Sequence, residues 1–397
     1  MKRDNSNLNH EQKRAFLQMT GLMGLYYFGN FLFIPLLAPY VATLGLDKFQ
    51  ISLIFSIYPM MLFFTSPIVG ALSDETGRRR VILLGLVFEI IAILFYVFDK
   101  TWWVFLIARA IDAISFSAVV LVGLSAVEDG LTKHNRGRYT GLSLSLLHVG
   151  KLIGPIAGGL LADIFFLKMP FIIGGFVVFL LLVAFYAKTR SAGSAAPLRK
   201  PSLGALNVIG QLRWFLSIRK LRGMAILGIM MHATFPLTTI FIPLFIKEHF
   251  GLPYIFIGIA IFCTEMPLLF QFVYGRLADR FPHHYTVLFG TIFYGAALIL
   301  LSITATYWTF TFALILAGIG VGCWNIGAWT LMADIGEQHK KISSVVCSYV
   351  SIARIGEVIS TVASGYIALT QGTAVLIVLN GIFVLIVSVW AHHWLKE

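Results

Sequence analysis

Seven charged side chains lie inside long apolar stretches of this sequence. They are Glu89, Arg109, Asp112, Lys151, Glu265, Arg354 and Glu357. Each charge facing lipid at the centre of a bilayer would cost roughly 2.5 to 3.5 kcal/mol even on the milder scale, so we expect these groups to face protein or water. Carboxyl groups in such surroundings can bind and release protons, and basic groups can hold anions or carboxylates.

Four of these charges form two matching pairs along the chain. Arg109 precedes Asp112 by three residues, and Arg354 precedes Glu357 by three. Side chains three apart lie on one face of a helix, so the spacing predicts an ion pair or hydrogen bond within each pair. A purely structural role and a role in a site both remain open for them.

The carboxyl groups Asp112, Glu265 and Glu89 are the candidates for carrying protons. Burial disfavours the charged form of a carboxyl group, which brings proton binding closer to neutral pH. We rank Asp112 first because Arg109 lies beside it, Glu265 second and Glu89 third. His148 and His232 are interpreted as core histidines, with a role as proton relays as the alternative.

The composition indicates the setting of these charges. Of the 397 residues 58% are hydrophobic and 12% are charged, whereas soluble domains carry about 25% charged residues. Apolar stretches of about 20 residues, the length needed to cross the hydrocarbon, recur throughout the chain. They predict an all-α membrane protein with twelve transmembrane helices near residues 18–42, 50–72, 80–98, 103–126, 140–162, 170–188, 223–247, 254–275, 285–305, 308–332, 344–369 and 373–394.

The predicted membrane topology explains the net charge of +12, so the charge does not require a nucleic-acid partner. With a cytoplasmic N terminus, 23 of the 30 basic residues fall on the cytoplasmic side, as the positive-inside rule predicts. We therefore expect a multi-pass protein of a plasma membrane, the inner membrane of a bacterium, with both termini cytoplasmic. We also expect it to be a monomer.

The chain reads as two similar halves. Residues 1–188 are predicted to form one six-helix bundle and residues 223–397 another, joined by a cytoplasmic linker over 189–222. Within the linker, 205–222 has apolar residues on one face and predicts a helix either on the membrane surface or in solvent. The segments from Gly70 and Gly275, and those from His148 and Arg354, match at offsets of 205 and 206 residues, which indicates duplication of one unit.

Two motifs stand out in the sequence: Gly70, Asp74, Gly77 and Arg78 in "GALSDETGRRR", and the glycine-rich run "GKLIGPIAGG" from Gly150. The first resembles the loop between helices 2 and 3 of the major facilitator superfamily, and the second resembles helix 5 of that family's drug:proton antiporter branch. The resemblance covers essentially the whole chain. It implies two pseudo-symmetric six-helix bundles around a central site.

The second motif is the branch's signature in helix 5, which matches Gly150, Gly154, Pro155, Gly158 and Gly159. Glycines four apart form a smooth helix face for backbone-to-backbone packing, and proline bends the helix. Helix 4 departs from the branch pattern, since Asp112 and Ala113 follow Arg109 where a glutamine and a glycine are usual. The usual acid of helix 1 is also missing.

The resemblance implies a cavity, and Lys151 is interpreted as pointing into it. In the internal repeat Lys151 corresponds to Glu357, so the two would meet across the pseudo-twofold axis. A permanent bridge to Glu357 or Glu89, or a lysine reaching the membrane surface, are the alternatives. With Arg354, the other candidate substrate-binding residues are Tyr26, Asn30, Trp324 and Asn325; core packing is the alternative for the last four.

The functional prediction is a secondary transporter, and two directions of transport remain open. The motifs favour proton-coupled export of a small amphipathic compound. The alternative is a symporter that imports a polar or anionic metabolite, with Arg109, Lys151 and Arg354 as ligands. No HExxH, P-loop, GxSxG or CxxC motif is present, so we expect no enzyme, no cofactor and no metal site. Cys263, Cys323 and Cys347 are interpreted as buried thiols.

Overall fold

The computed structural model describes residues 8, 10–98, 101–129, 131, 136–189, 208–270, 273–274, 276, 282–339 and 342–395. These residues form helices and turns, with no strand among them. Eleven of the described helices are long and apolar enough to cross a membrane, and the shorter apolar helix Ile255–Phe270 stands where the eighth span is predicted. The predicted end of that span, residue 275, lies outside the described residues. The all-α membrane fold is confirmed.

In chain order the helices are α1 His10–Phe31, α2 Ile34–Thr43, α3 Lys48–Thr76, α4 Arg78–Phe98, α5 Trp102–Phe116, α6 Val122–Asp129, α7 Arg136–Ile164, α8 Met169–Thr189, α9 Val208–Ser217, α10 Arg219–Ala233, α11 Ile242–Phe245, α12 Ile255–Glu265, α13 His283–Ser302, α14 Tyr307–Gln338, α15 Ile342–Thr370 and α16 Thr373–Leu395. A π-helical segment, Ser117–Leu121, joins α5 to α6, and two others, Leu237–Phe241 and Ile246–Phe250, flank α11.

The chain divides into two compact units. Unit 1 comprises Met1–Tyr40 and Met61–Leu203, and unit 2 comprises Val41–Met60 and Gly204–Glu397. The first part of α3 therefore belongs to unit 2 and the remainder to unit 1. The domain boundaries predicted from the sequence stay a prediction.

In unit 1 the glycine face of α7 packs directly against the backbone of α1. A Cβ atom on Gly150 would lie 2.6 Å from the Gly24 carbonyl oxygen, and one on Gly154 would lie 2.9 Å from the Phe31 carbonyl carbon. A Cβ on Gly158 would overlap the Leu32 carbonyl oxygen. At these glycines the backbone of α7 lies in direct contact with the chain of α1 and its following turn. Pro155 and Gly159 are also buried, within the unbroken helix α7.

Unit 2 repeats this packing at the corresponding positions. Gly356 of α15 lies against the backbone of Ile229 in α10, where a Cβ would overlap the Ile229 carbonyl oxygen. Gly356 follows Gly150 by 206 residues and Ile229 follows Gly24 by 205. The duplication inferred from the sequence is therefore visible as the same helix pair, packed through the same small residue, in each unit.

The helix predicted over 205–222 is wrong in extent. The structure has α9 over Val208–Ser217 and a separate helix, α10, from Arg219, with Ile218 between them in an extended conformation (φ −87°, ψ 121°). The Ser217 hydroxyl donates to the Trp214 carbonyl (2.6 Å) in the last turn of α9. Apolar periodicity continues across the break, which is why the sequence pattern did not reveal it. Residues 205–207 lie outside the described residues.

One ion pair of unit 2 fastens the start of α3. Lys48 Nζ lies 2.7 Å from Glu248 Oε2 and donates to Thr373 Oγ1 at 3.1 Å. Because the Glu248 side chain is 47% exposed, we expect the pair to contribute only about 0.5 to 1 kcal/mol. Lys48→Glu and Glu248→Lys should each lower the thermal stability of the detergent-purified protein, and the double exchange should recover most of the loss. If the two losses simply add, the pair contributes nothing.

Candidate functional site

Unit 1 buries a polar cluster between α1, α4 and α5, which we call the unit-1 cluster. Its side chains are almost inaccessible to solvent, none of them more than 5% exposed. The members are Tyr26, Glu89, Tyr96, Arg109, Asp112 and Ser115. Three of them, Glu89, Arg109 and Asp112, are charge-bearing residues that the sequence singled out.

Glu89 occupies one side of the unit-1 cluster. The Tyr26 hydroxyl donates to Glu89 Oε2 at 2.8 Å. Ser115 Oγ lies 2.9 Å from the Tyr26 hydroxyl oxygen and can donate a hydrogen bond to it. Glu89 Oε1 is buried and has no hydrogen-bond partner among the described residues. No described basic side chain forms an ion pair with this carboxyl group. Among the described residues, the hydrogen bond from the neutral Tyr26 hydroxyl is therefore what compensates a charge on Glu89.

Arg109 and Asp112 occupy the other side of the unit-1 cluster. Arg109 Nη1 donates to Asp112 Oδ2 at 2.6 Å, as the spacing of three residues predicts. The Tyr96 hydroxyl lies 3.4 Å from the same oxygen. The guanidinium thus neutralises Asp112, and the two carboxyl groups of the cluster differ: one has a buried cation and the other does not.

Tyr96 and Ser115 are members of the cluster that the sequence analysis missed. Tyr96 follows Glu89 by seven residues on α4, and Ser115 follows Asp112 by three on α5. Each shares a helix face with a buried acid. That periodicity is a signal by which both could have been found. Asn30 of α1 is also buried, and its amide donates to the Tyr26 carbonyl at 3.3 Å.

Unit 2 holds a second charged group, which we call the unit-2 cluster: His232, Arg354 and Glu357. Arg354 Nη1 donates to Glu357 Oε2 at 2.7 Å, again as predicted. His232 Nδ1 lies 3.6 Å from the same oxygen, beyond hydrogen-bond length. His232 was interpreted as a core histidine, but its position beside Glu357 makes it part of a charged site.

The remaining candidates lie at separate places within their units. In unit 1, Lys151 is half-buried and its Nζ lies 5.7 Å from the centre of the Phe31 ring, a distance typical of cation–π contact. In unit 2, Trp324 is buried and its indole Nε1 has no hydrogen-bond partner among the described residues. Asn325 and Glu265 are half-buried. The roles of these four residues stay predictions.

Ion pairs made by Arg78 hold the loop between α3 and α4. Gly77 has φ +91°, the left-handed region that favours glycine, and forms the turn. Arg78 bonds Asp74 at 2.6 Å and Asp129, the last residue of α6, at 3.1 Å. Gly70, one helical turn before Asp74, faces open space. The motif therefore ties the ends of α3 and α6 to the start of α4.

In the described part of the chain no three His, Cys, Asp or Glu side chains come together in a group that could hold a metal ion. Cys263 and Cys323 are free thiols there. The side chain of Cys347 lies outside the described residues.

Known proteins resemble this chain in sequence over 43% to 90% of its length. An uncharacterized major-facilitator-type transporter of Methanocaldococcus jannaschii is 26% identical over 366 residues, covering 90% of this chain and 92% of that protein. The class C tetracycline resistance protein of Escherichia coli is 27% identical over 72% of each chain. The quinolone resistance protein NorA of Staphylococcus aureus is 24% identical over 43% of this chain and 45% of its own.

Solved structures and a family profile agree on the fold. The nucleoside transporter NupG superposes with a TM-score of 0.79 at 13% identity, covering 96% of this chain and all of that one. A bacterial homologue of the lysosomal transporter Spinster gives 0.77 at 13% identity, covering 98% of each chain. The sequence profile described as Major Facilitator Superfamily matches residues 19–266 and 224–397. The chain therefore belongs to the Major Facilitator Superfamily and is a multi-pass membrane transporter, not an enzyme.

Proposed function

We propose that this transporter exports a small amphipathic compound in exchange for protons. The direction is supported by relatives whose names are tetracycline and quinolone resistance proteins. The bacterial inner membrane, with both termini in the cytoplasm, is the location that the distribution of basic residues favours. Substrate export would follow alternating access of the site to the two sides of the membrane.

The observation that carries the proton-coupling proposal is the asymmetry of the unit-1 cluster. Glu89 is fully buried and is bonded by Tyr26, with no described cation paired to it. A buried carboxylate without a cation costs several kcal/mol, and binding a proton removes that cost. Glu89 is therefore our proposed proton carrier, and Tyr26 and Ser115 position it.

Asp112, ranked first from the sequence, takes a different role in this proposal. Its partner Arg109 is buried with it and bonds it at 2.6 Å. Removing one member of such a pair leaves an uncompensated buried charge, which is typically destabilising by about 3–5 kcal/mol. Asp112 and Arg109 are proposed to set the electrostatic environment of Glu89, because the Asp112 carboxylate interacts electrostatically with the Glu89 carboxyl group.

The substrate side of the proposal rests on the unit-2 cluster and Lys151. Glu357 lies between Arg354 and His232, so it can exchange partners as a ligand binds. Lys151, Asn30, Trp324 and Asn325 are proposed as further substrate contacts, whereas Tyr26, a candidate contact from the sequence, is reassigned to positioning Glu89 because its hydroxyl bonds that carboxyl group. An importer of polar or anionic metabolites is the second candidate, and the basic groups Lys151 and Arg354 favour it.

Transport by purified protein in sealed vesicles tests the direction. The probes are tetracycline and a fluorescent quinolone, with a pH gradient imposed across vesicles of each orientation. Exchange for protons predicts that a vesicle with an acidic lumen and the cytoplasmic face outside accumulates the probe. Collapsing the gradient with an ionophore should stop the accumulation.

The same assay separates the two candidates. Accumulation of a nucleoside or an organic anion, driven by protons that enter with it, would favour the importer. Probe movement that is unaffected by the pH gradient in both orientations would contradict proton coupling.

A further inference from the structure

The contact between helices α1 and α8 is made by glycine backbones at one end and by polar and basic side chains at the other. At Gly29 and Gly174 the two backbones touch, since a Cβ on Gly174 would lie 2.6 Å from the Gly29 carbonyl oxygen. At the other end, Gln18 of α1 lies between Arg14 and Lys188. With its amide oriented to satisfy its hydrogen bonds, the Gln18 oxygen is 3.2 Å from both Arg14 Nε and Lys188 Nζ. This end of the contact between α1 and α8 is therefore polar and basic.

Two cations from different helices thus converge on one amide oxygen. Arg14 and Lys188 are both exposed, and neither forms an ion pair with a described acid. Arg79 of α4 lies at the same end, since its Nε donates at 2.8 Å to Thr189 Oγ1, next to Lys188. Like charges repel at such separations, and an amide oxygen carries only a partial charge. Around Arg14 and Lys188, the part of the chain that the structure describes supplies no full negative charge.

The face of α1 below these cations is apolar and open. At 100° per residue, Leu25 lies almost directly below Arg14, and Leu17 lies 60° to one side. These two leucines are 52% and 54% exposed. Met23, on the opposite side of the helix, packs against Gly123. The exposed strip therefore lies on the side of α1 opposite Met23 and runs about 16 Å along the helix.

We propose that Arg14, Gln18 and Lys188 form a binding site for the phosphate group of an anionic phospholipid. One phosphodiester offers two charged oxygens to the guanidinium, the ammonium and the Gln18 amide, and an acyl chain covers Leu17 and Leu25. The cytoplasmic leaflet, where the basic residues place this end of the helices, carries anionic lipids. Basic pockets between transmembrane helices on that side typically bind such headgroups. This site is independent of the proposed direction of transport.

Native mass spectrometry of the detergent-purified protein tests the site. The probes are phosphatidylglycerol and phosphatidylcholine of identical acyl chains, added in turn, with the retained lipid counted. The wild type should retain phosphatidylglycerol preferentially. Arg14→Gln combined with Lys188→Gln should reduce that preference about thirtyfold, because each of the two basic residues near an anionic surface contributes about 1 kcal/mol. The conservative exchange Lys188→Arg should keep it.

Lys13→Gln is the matched control, since it removes one exposed positive charge at the same end of α1. Lys13 lies 100° around the helix from Arg14 and lines a cleft with Phe16, Leu17 and Tyr139. A loss of preference in Lys13→Gln as large as in the double variant would show general charge attraction and overturn the site. Equal retention by wild type and double variant would also overturn it. Protection against thermal unfolding by inorganic phosphate as strong as by phosphatidylglycerol would assign the site to free phosphate.

Discussion

Replacing Glu89 with glutamine is expected to abolish transport driven by a pH gradient while leaving downhill exchange of the substrate intact. Glutamine has nearly the same shape as glutamic acid, and its carbonyl oxygen can still accept the Tyr26 hydrogen bond that Glu89 Oε2 now accepts at 2.8 Å. It cannot bind or release a proton. Coupling should therefore disappear without loss of the fold.

The measurement compares probe accumulation with and without a pH gradient, in vesicles made from the wild type and from Glu89→Gln. Glu337→Gln, at an exposed position in the last turn of α14, is the matched control and should behave as the wild type. Thermal unfolding of each variant checks that the fold survives. If Glu89→Gln still accumulates the probe in response to the gradient, Glu89 is not the proton carrier.

Replacing Gly158 with alanine is expected to prevent most of the protein molecules from folding. The new methyl group would overlap the Leu32 carbonyl oxygen, which is a backbone atom and cannot turn aside as a side chain would. Overpacking against movable groups already costs about 1–3 kcal/mol. A clash between two backbones forces α1 and α7 apart along their length, so the loss should exceed that range. The measurements are the yield of monodisperse protein and its thermal unfolding.

Gly21→Ala supplies the control for this prediction. Gly21 lies in α1, and a Cβ there has no neighbour within 4 Å. Alanine is favoured over glycine in a helix by about 1 kcal/mol, so this variant should be as stable as the wild type or slightly more stable. Equal stability of the two alanine variants would show that α1 and α7 can separate without loss.

Local patterns in the sequence were sufficient for the helices and for contacts within one helix. Arg109 and Asp112 bond because residues three apart share a face, and Arg354 and Glu357 repeat this in α15. The glycine face of α7 follows from a spacing of four. These features depend only on helical geometry, which the apolar composition already implies.

Contacts between distant helices were beyond those patterns. Tyr26 bonds Glu89 from 63 residues away, and His232 approaches Glu357 from a helix 125 residues earlier in the chain. Which face of α1 meets α4 depends on how the glycines of α7 fix the rotation of α1. The ranking of Asp112 above Glu89 rested on residues near each acid in the sequence. The groups that surround a buried acid, however, belong largely to other helices, as Tyr26 of α1 does for Glu89. The break at Ile218 was hidden because a single extended residue leaves the apolar pattern unchanged.

The absence of side chains between α1 and α7 at Gly150, Gly154 and Gly158 has a mechanical consequence. Two helices whose backbones touch at two successive turns, with a third contact at Leu32 just after α1, cannot slide or roll past each other without collision. We therefore expect α1 and α7 to move as one rigid body, so that any tilt of α7 displaces the Tyr26 hydroxyl by a matching amount. Bending at Pro155 would then reach the carboxyl group of Glu89 through a single hydrogen bond.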